Sequence, residues 1–177
     1  SEDERIKKEL RKVEREVDKL LKEHEKILED LKREVDKLIE THRKILEELK
    51  RRVDELKRRG SDKRDFKRLK DENKEALDKT REDADKLRRD NERKLEETKR
   101  RARELEEKVK REKEELDREG SKERIRRELE EVLKDIRRKL KELKERNDKV
   151  NRDIEELLRE LEERNTEVDK EIKKKAD

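Results

Sequence analysis

Residues His24–Leu56 read HEKILEDLKREVDKLIETHRKILEELKRRVDEL and hold both histidines of the chain. His24 returns as His42, and Leu28, Leu31, Val35 and Leu38 return at the same i,i+18 spacing as Leu46, Leu49, Val53 and Leu56. That interval is about five turns of an α-helix at roughly 3.6 residues per turn, so each returning residue lies on the same line of the helix surface. Apolar residues stepping by threes and fours are the pattern of a helix with one face toward a core. A strict heptad would wind such helices left-handed and an 11-residue repeat right-handed. The 18-residue repeat falls between them and predicts nearly straight helices.

The composition fits long helices and little else. The chain has 177 residues, 67% of them charged and 24% hydrophobic, with Phe66 its only aromatic and no Pro, Cys, Met, Trp or Tyr. So few apolar residues usually mean disorder, because too little surface can be buried to offset chain entropy. Here 61 basic and 57 acidic residues nearly cancel, and the apolar ones keep a helical period, which reads as a long helix or coiled coil. Opposite charges are interspersed throughout, as in i,i+4 ladders on solvated helix faces. There is no basic stripe with stacking aromatics for nucleic acid. No apolar run approaches the roughly 20 residues of a membrane span, and no signal-peptide core is present. Without cysteine there are no disulfides.

The only two glycines are each followed by serine, in Arg59-Gly60-Ser61-Asp62 and Glu119-Gly120-Ser121-Lys122. Glycine ends a helix in the left-handed conformation and serine caps the next one, so the two pairs predict near-minimal helix–helix loops. Ser1-Glu2-Asp3-Glu4 reads as a capping box. Serines 1, 61 and 121 therefore predict helices over about 2–59, 62–119 and 122–175, each on the order of 85 Å long. Loops this short force antiparallel neighbours. The expected fold is all-α, a single antiparallel up-down-up three-helix bundle spanning 1–177.

In that fold residue i of the first helix faces about 121−i on the second and i+120 on the third. The first seam runs Ile6, Leu10, Val13, Val17, Leu20, His24, Leu28, Leu31, Val35, Leu38, His42, Leu46, Leu49, Val53 and Leu56. The third runs Ile125, Leu129, Val132, Ile136, Leu140, Leu143, Asn147, Val150, Ile154, Leu157, Leu161, Asn165, Val168 and Ile172. The second helix is poorest in apolar residues and repeats Asn73, Leu77, Thr80, Ala84 and Leu87 as Asn91, Leu95, Thr98, Ala102 and Leu105. The register brings Thr98 level with His24 and Thr80 level with His42. Asn147 and Asn165 fall within one turn of the same levels, whereas Asn91 and Asn73 sit about two turns from them, closer to the asparagines of the third helix.

Two copies of one buried polar network follow: His24, Asn91, Thr98, Asn147 and Asn151 in the first; His42, Asn73, Thr80 and Asn165 in the second. Imidazole, amide and hydroxyl supply matching donors and acceptors. An unpaired buried polar group costs about 1–3 kcal/mol, so their recurrence calls for partners. Asn151 lacks an asparagine at its own repeat position, where Asp169 stands.

Other chemistries fit poorly. Two histidines about 27 Å apart along a helix cannot share an ion, and Asn and Thr are poor substitutes for His or Cys ligands. No metal, cofactor or catalytic residue is expected, and no enzyme activity. The paired Gly60-Ser61 and Gly120-Ser121 loops, the Glu/Lys/Arg/Asp surface and the 18-residue layers resemble computationally designed, parametrically built helical bundles with buried hydrogen-bond networks. The resemblance spans all 177 residues. It implies a synthetic structural scaffold with no natural biochemical function or compartment, cytoplasmic when expressed in a bacterial host. Members of the class that bury histidine are typically oligomers of shorter hairpins; this chain departs from them with three long helices in one polypeptide, which is read as a monomer with no required partner. Histidine networks in that class also imply a second reading, a pH-responsive module. Burial disfavours imidazolium, so stability would fall with pH below about 6.5. A third reading is a helix-mediated interaction or self-assembling protein, in which the weakly apolar second helix yields to another.

Overall fold

A computed structural model describes residues 1–120 and 123–177, and these form three α-helices. They are α1 (Glu2–Arg59), α2 (Lys63–Glu119) and α3 (Glu123–Ala176). The ends follow from the local sequence. Ser1 Oγ accepts the Glu4 amide at 3.4 Å. The Glu4 carboxylate lies 3.8 Å from the terminal ammonium, and the two contacts are the halves of a capping box. Acidic residues fill the first turn of α1 and Lys57, Arg58 and Arg59 its last, complementing the helix dipole.

At the first loop the Ser61 amide donates to the Leu56 carbonyl (3.1 Å) and the Gly60 amide to that of Lys57 (3.3 Å). This pair of bonds is a Schellman cap, which demands a left-handed residue. Gly60 supplies it with a φ of 67°. Gly120 likewise has a φ of 75°. Its amide donates to Leu116, as in the simpler left-handed cap. The cap of α2 departs from expectation. Asp62, not Ser61, fills it: Asp62 Oδ1 accepts the Arg64 amide at 3.0 Å and α2 starts at Lys63. Ser61 is already committed through its own amide to closing α1, so the capping role passes to the next suitable side chain. The cap expected at Ser121 lies outside the described residues. A Cβ on Gly60 would meet no atom within 4 Å, so Gly60→Ala should cost about 1 kcal/mol through backbone strain alone. A shifted urea midpoint with unchanged slope would show this.

Chain direction is written in the side-chain pairs. Asp18 pairs with Lys139, Glu25 with Arg146 and Asp54 with Lys175, always 121 residues apart, so α1 and α3 run parallel. Between α2 and α3 the partners are Asp117–Arg126, Glu106–Arg137, Arg88–Glu155 and Arg81–Glu162, one number rising as the other falls. That is an antiparallel pair, and Glu9–Lys108 and Arg52–Glu72 show the same for α1 and α2. The register expected from two short loops is met to within a residue for α1 against α3.

The described residues divide into two compact units, 1–29 with 91–149 and 30–90 with 150–177. Each contains a segment of all three helices. The first is packed around Ile6, Leu10, Val13, Val17, Val109, Leu116, Ile125, Leu129 and Ile136. The second is packed around Val35, Leu49, Val53, Phe66, Leu69, Ile154, Leu161, Val168 and Ile172. The seams differ from expectation at several positions. Ile39, Leu133 and Leu158 are buried, whereas Leu20, Leu38, Leu56, Leu140, Val150 and Leu157, with Leu77, Leu87 and Leu105 on α2, are only half-buried. Each helix here packs on two neighbours, so its apolar face is wider than one line, and adjacent pairs such as Leu38-Ile39 straddle it.

Candidate functional site: two buried polar layers

The helix faces that pack the cores also carry His24, His42, Asn73, Thr80, Asn91, Thr98, Asn147 and Asn165 inward, and all eight are buried. Both imidazoles are completely shielded from solvent. Each layer lies within one unit: His42, Asn73, Thr80 and Asn165 in one, His24, Asn91, Thr98 and Asn147 in the other.

The His42 layer is connected throughout. Its Nε2 lies 2.6 Å from Asn165 Oδ1 and its Nδ1 lies 2.9 Å from Thr80 Oγ1. An amide oxygen only accepts, so Nε2 carries the proton of the neutral ring. The Thr80 hydroxyl also reaches the Ala76 carbonyl at 3.0 Å. Asn165 Nδ2 donates to Asn73 Oδ1 (2.9 Å) and to the Asn73 carbonyl (3.2 Å). Asn73 Nδ2 donates in return to the Asn165 carbonyl (3.1 Å) and to Asp169 Oδ1 (2.8 Å). Reciprocal amides thus clamp α2 to α3, and the imidazole joins α1 to both.

The His24 layer uses the same residue types but is sparser. Asn91 Nδ2 donates to Asn147 Oδ1 at 2.9 Å, and the Thr98 hydroxyl donates to the Lys94 carbonyl at 3.0 Å. Among the described residues no protein group hydrogen-bonds His24 Nδ1, His24 Nε2 or Asn91 Oδ1. Asn151 is half-buried and does not join them. Burial pushes both histidines below their ordinary value, because imidazolium loses its hydration there. The amides oppose this. Asn165 does so through its hydrogen bond, and Asn147 lies near enough to favour the charged ring without meeting hydrogen-bond geometry at either nitrogen.

Asp169 is the network residue missing from the sequence-based expectation. The sequence does carry a signal for it, because Asp169 and Asn151 hold the same place in the 18-residue repeat. The change of residue type breaks the asparagine pattern and hides the equivalence. A half-buried carboxylate at the edge of a layer can accept from a buried amide while keeping one side in water, which makes Asp169 compatible with this place.

Chemically, these layers can exchange hydrogen bonds and protons. Among the described residues no cluster of three or more His, Cys, Asp or Glu side chains is placed to hold a metal ion, and no helix is long and apolar enough to cross a membrane. Surface grooves such as that bounded by Lys19, Leu20, Glu23, Leu105 and Lys108 are lined mainly by charged side chains and reach neither imidazole.

No family model and no curated protein matches the chain. Among solved structures, one described as a computationally designed three helix bundle superposes with a TM-score of 0.69, covering 98% of this chain and 88% of its own. At 18% sequence identity the likeness is one of fold: this chain has the fold of a designed three-helix bundle.

Proposed function

We propose that the chain is a designed structural scaffold, a single monomeric three-helix domain whose buried His/Asn/Thr layers specify how its helices pair. The observation that carries this reading is the His42 layer, where one imidazole and two amides tie three helices together by five side-chain hydrogen bonds that a shifted register would break. Apolar seams that step by threes and fours are nearly indifferent to sliding by one or two turns, since leucine, isoleucine or valine meets another of the three either way. A polar layer is not indifferent, because sliding strands each donor and acceptor in hydrocarbon at about 1–3 kcal/mol apiece. The fold shared with a designed bundle supports a synthetic origin, and both imidazoles are shielded from solvent, out of reach of a substrate.

The test removes the polar information and keeps the apolar volume. A chain with His42→Leu, Thr80→Val, Asn73→Leu and Asn165→Leu should stay helical and resist denaturant at least as well. It should lose uniqueness, giving several species in sedimentation and broadened amide resonances where the parent gives one set. A variant as uniform as the parent would remove the specificity role.

Buried histidine also supports a pH-responsive reading. Both rings are held below their ordinary value, which is about 6.5 in the unfolded chain, so the unfolded chain binds more protons in acid. Stability is then full above that pH and declines as pH falls through the window between the unfolded and folded values.

A further inference from the structure

The two layers have the same parts and different wiring, and the difference bears on what each does with a proton. In the His42 layer one unbroken series of donors leads from the ring to a carboxylate. Nε2–H donates to Asn165 Oδ1, Asn165 Nδ2 donates to Asn73 Oδ1, and Asn73 Nδ2 donates to the Asp169 carboxylate. Each amide passes the polarisation along, so positive charge on the ring is answered by negative charge at the far end. The other ring nitrogen is also provided for. Thr80 Oγ1 sits 2.9 Å from Nδ1 with the Ala76 carbonyl 3.0 Å away on its own helix. Opposite a neutral ring the hydroxyl proton can turn to Nδ1. When Nδ1 takes a proton from solvent, the hydroxyl proton turns to Ala76 and the oxygen accepts instead. No side chain has to leave its place.

The His24 layer offers neither provision. Asn147 Oδ1 accepts from Asn91 Nδ2, so this amide pair runs opposite to the first, and Thr98 donates to Lys94 without engaging the ring. In place of Asp169 the repeat puts the neutral Asn151. Apart from Asp169, the charged groups that the register puts near the level of each ring are similar. Near the level of His42 these include Glu40 and Arg43 on α1, Arg81 on α2 and Glu162 on α3. Near that of His24 they include Glu25 on α1, Glu97 and Arg101 on α2 and Arg146 on α3. All stand in ion pairs open to solvent, where their fields are screened.

We propose that the layers divide the response to acid: His42 takes a proton within the intact fold, whereas protonation of His24 opens the unit formed by residues 1–29 and 91–149. The asymmetry rests on the same buried layers as the pairing role, yet it is read in a different way. A failed pairing role appears at neutral pH as multiple species, and a failed asymmetry appears as the wrong titration order in a single species.

The experiment is a titration of the full-length chain from pH 8 to 4, following the imidazole Cε1–Hε1 resonances with amide exchange in parallel. His42 should titrate at least about one pH unit, or tenfold in proton affinity, above His24. Its titration should leave amide protection unchanged. His24 should titrate only as residues 1–29 and 91–149 lose protection. Two variants at half-buried edge positions separate wiring from general loosening: Asp169→Asn should lower the His42 midpoint alone, and Asn151→Asp should raise that of His24 alone. Equal midpoints, a His24 titration that precedes that of His42, or an unmoved His42 midpoint in Asp169→Asn would overturn the proposal.

Discussion

Replacing Asn165 by alanine should cost about 2–6 kcal/mol of stability, about twice the cost of the equivalent Asn147→Ala. Asn165 is the junction of its layer. Its removal leaves His42 Nε2–H without an acceptor and Asn73 Oδ1 without a donor, two buried groups at roughly 1–3 kcal/mol each. Asn147 satisfies only Asn91 Nδ2, so its loss orphans one group. Paired urea melts at pH 7.4 measure both, and the slope should stay constant because both variants expose the same surface on unfolding. Equal losses at the two positions would mean that the layers are equally connected.

Much of what places Asn165 at this junction is legible in the sequence. The Gly60-Ser61 and Gly120-Ser121 pairs mark the helix ends, because only glycine readily takes the left-handed cap. Two loops of that length then fix the register closely enough to place Thr80 beside His42. Burial of all eight core polar residues follows from their position on the apolar line. Three features are visible only in the structure. The doublets Leu38-Ile39 and Leu157-Leu158 hide which member points inward, since a face shared by two neighbours is wider than one residue. Asp62 rather than Ser61 caps α2 because the loop uses the Ser61 amide elsewhere. The unlike wiring of two layers with like residues is beyond any periodicity argument, because it depends on tenths of an ångström and on which way each amide faces. Asp169 lies between these cases: the repeat points to its place, but its residue type differs from that of Asn151.

Histidine replacement should give the two layers different outcomes. His24→Leu exchanges a buried ring with two unpartnered nitrogens for an apolar side chain. It is expected to raise stability by about 1–3 kcal/mol. His42→Leu should bring no gain. The apolar benefit is similar, but it leaves Asn165 Oδ1 without its donor in a closed layer, while Thr80 keeps only its bond to Ala76. The same pair sharpens the acid response. His24→Leu should remove most of the stability lost between pH 7.4 and 4, because its ring has no hydrogen-bonded acceptor for an imidazolium and only the nearby Asn147 amide to favour the charge. His42→Leu should leave most of that loss in place. Denaturant midpoints at the two pH values separate these cases, and a shared loss of equal size in both variants would contradict the unequal wiring.

The most direct measurement is a pair of double-mutant cycles at pH 7.4, one for His42→Leu with Asn165→Ala and one for His24→Leu with Asn147→Ala. Groups that hydrogen-bond in a shared buried network couple, by about 0.5–3 kcal/mol, and groups that do not share a bond are close to additive. The His42–Asn165 cycle should give a coupling of about 1 kcal/mol or more, and the His24–Asn147 cycle one within about 0.5 kcal/mol of zero. Couplings of equal size in the two cycles, or an additive His42–Asn165 pair, would contradict the reading of one wired layer and one sparse one.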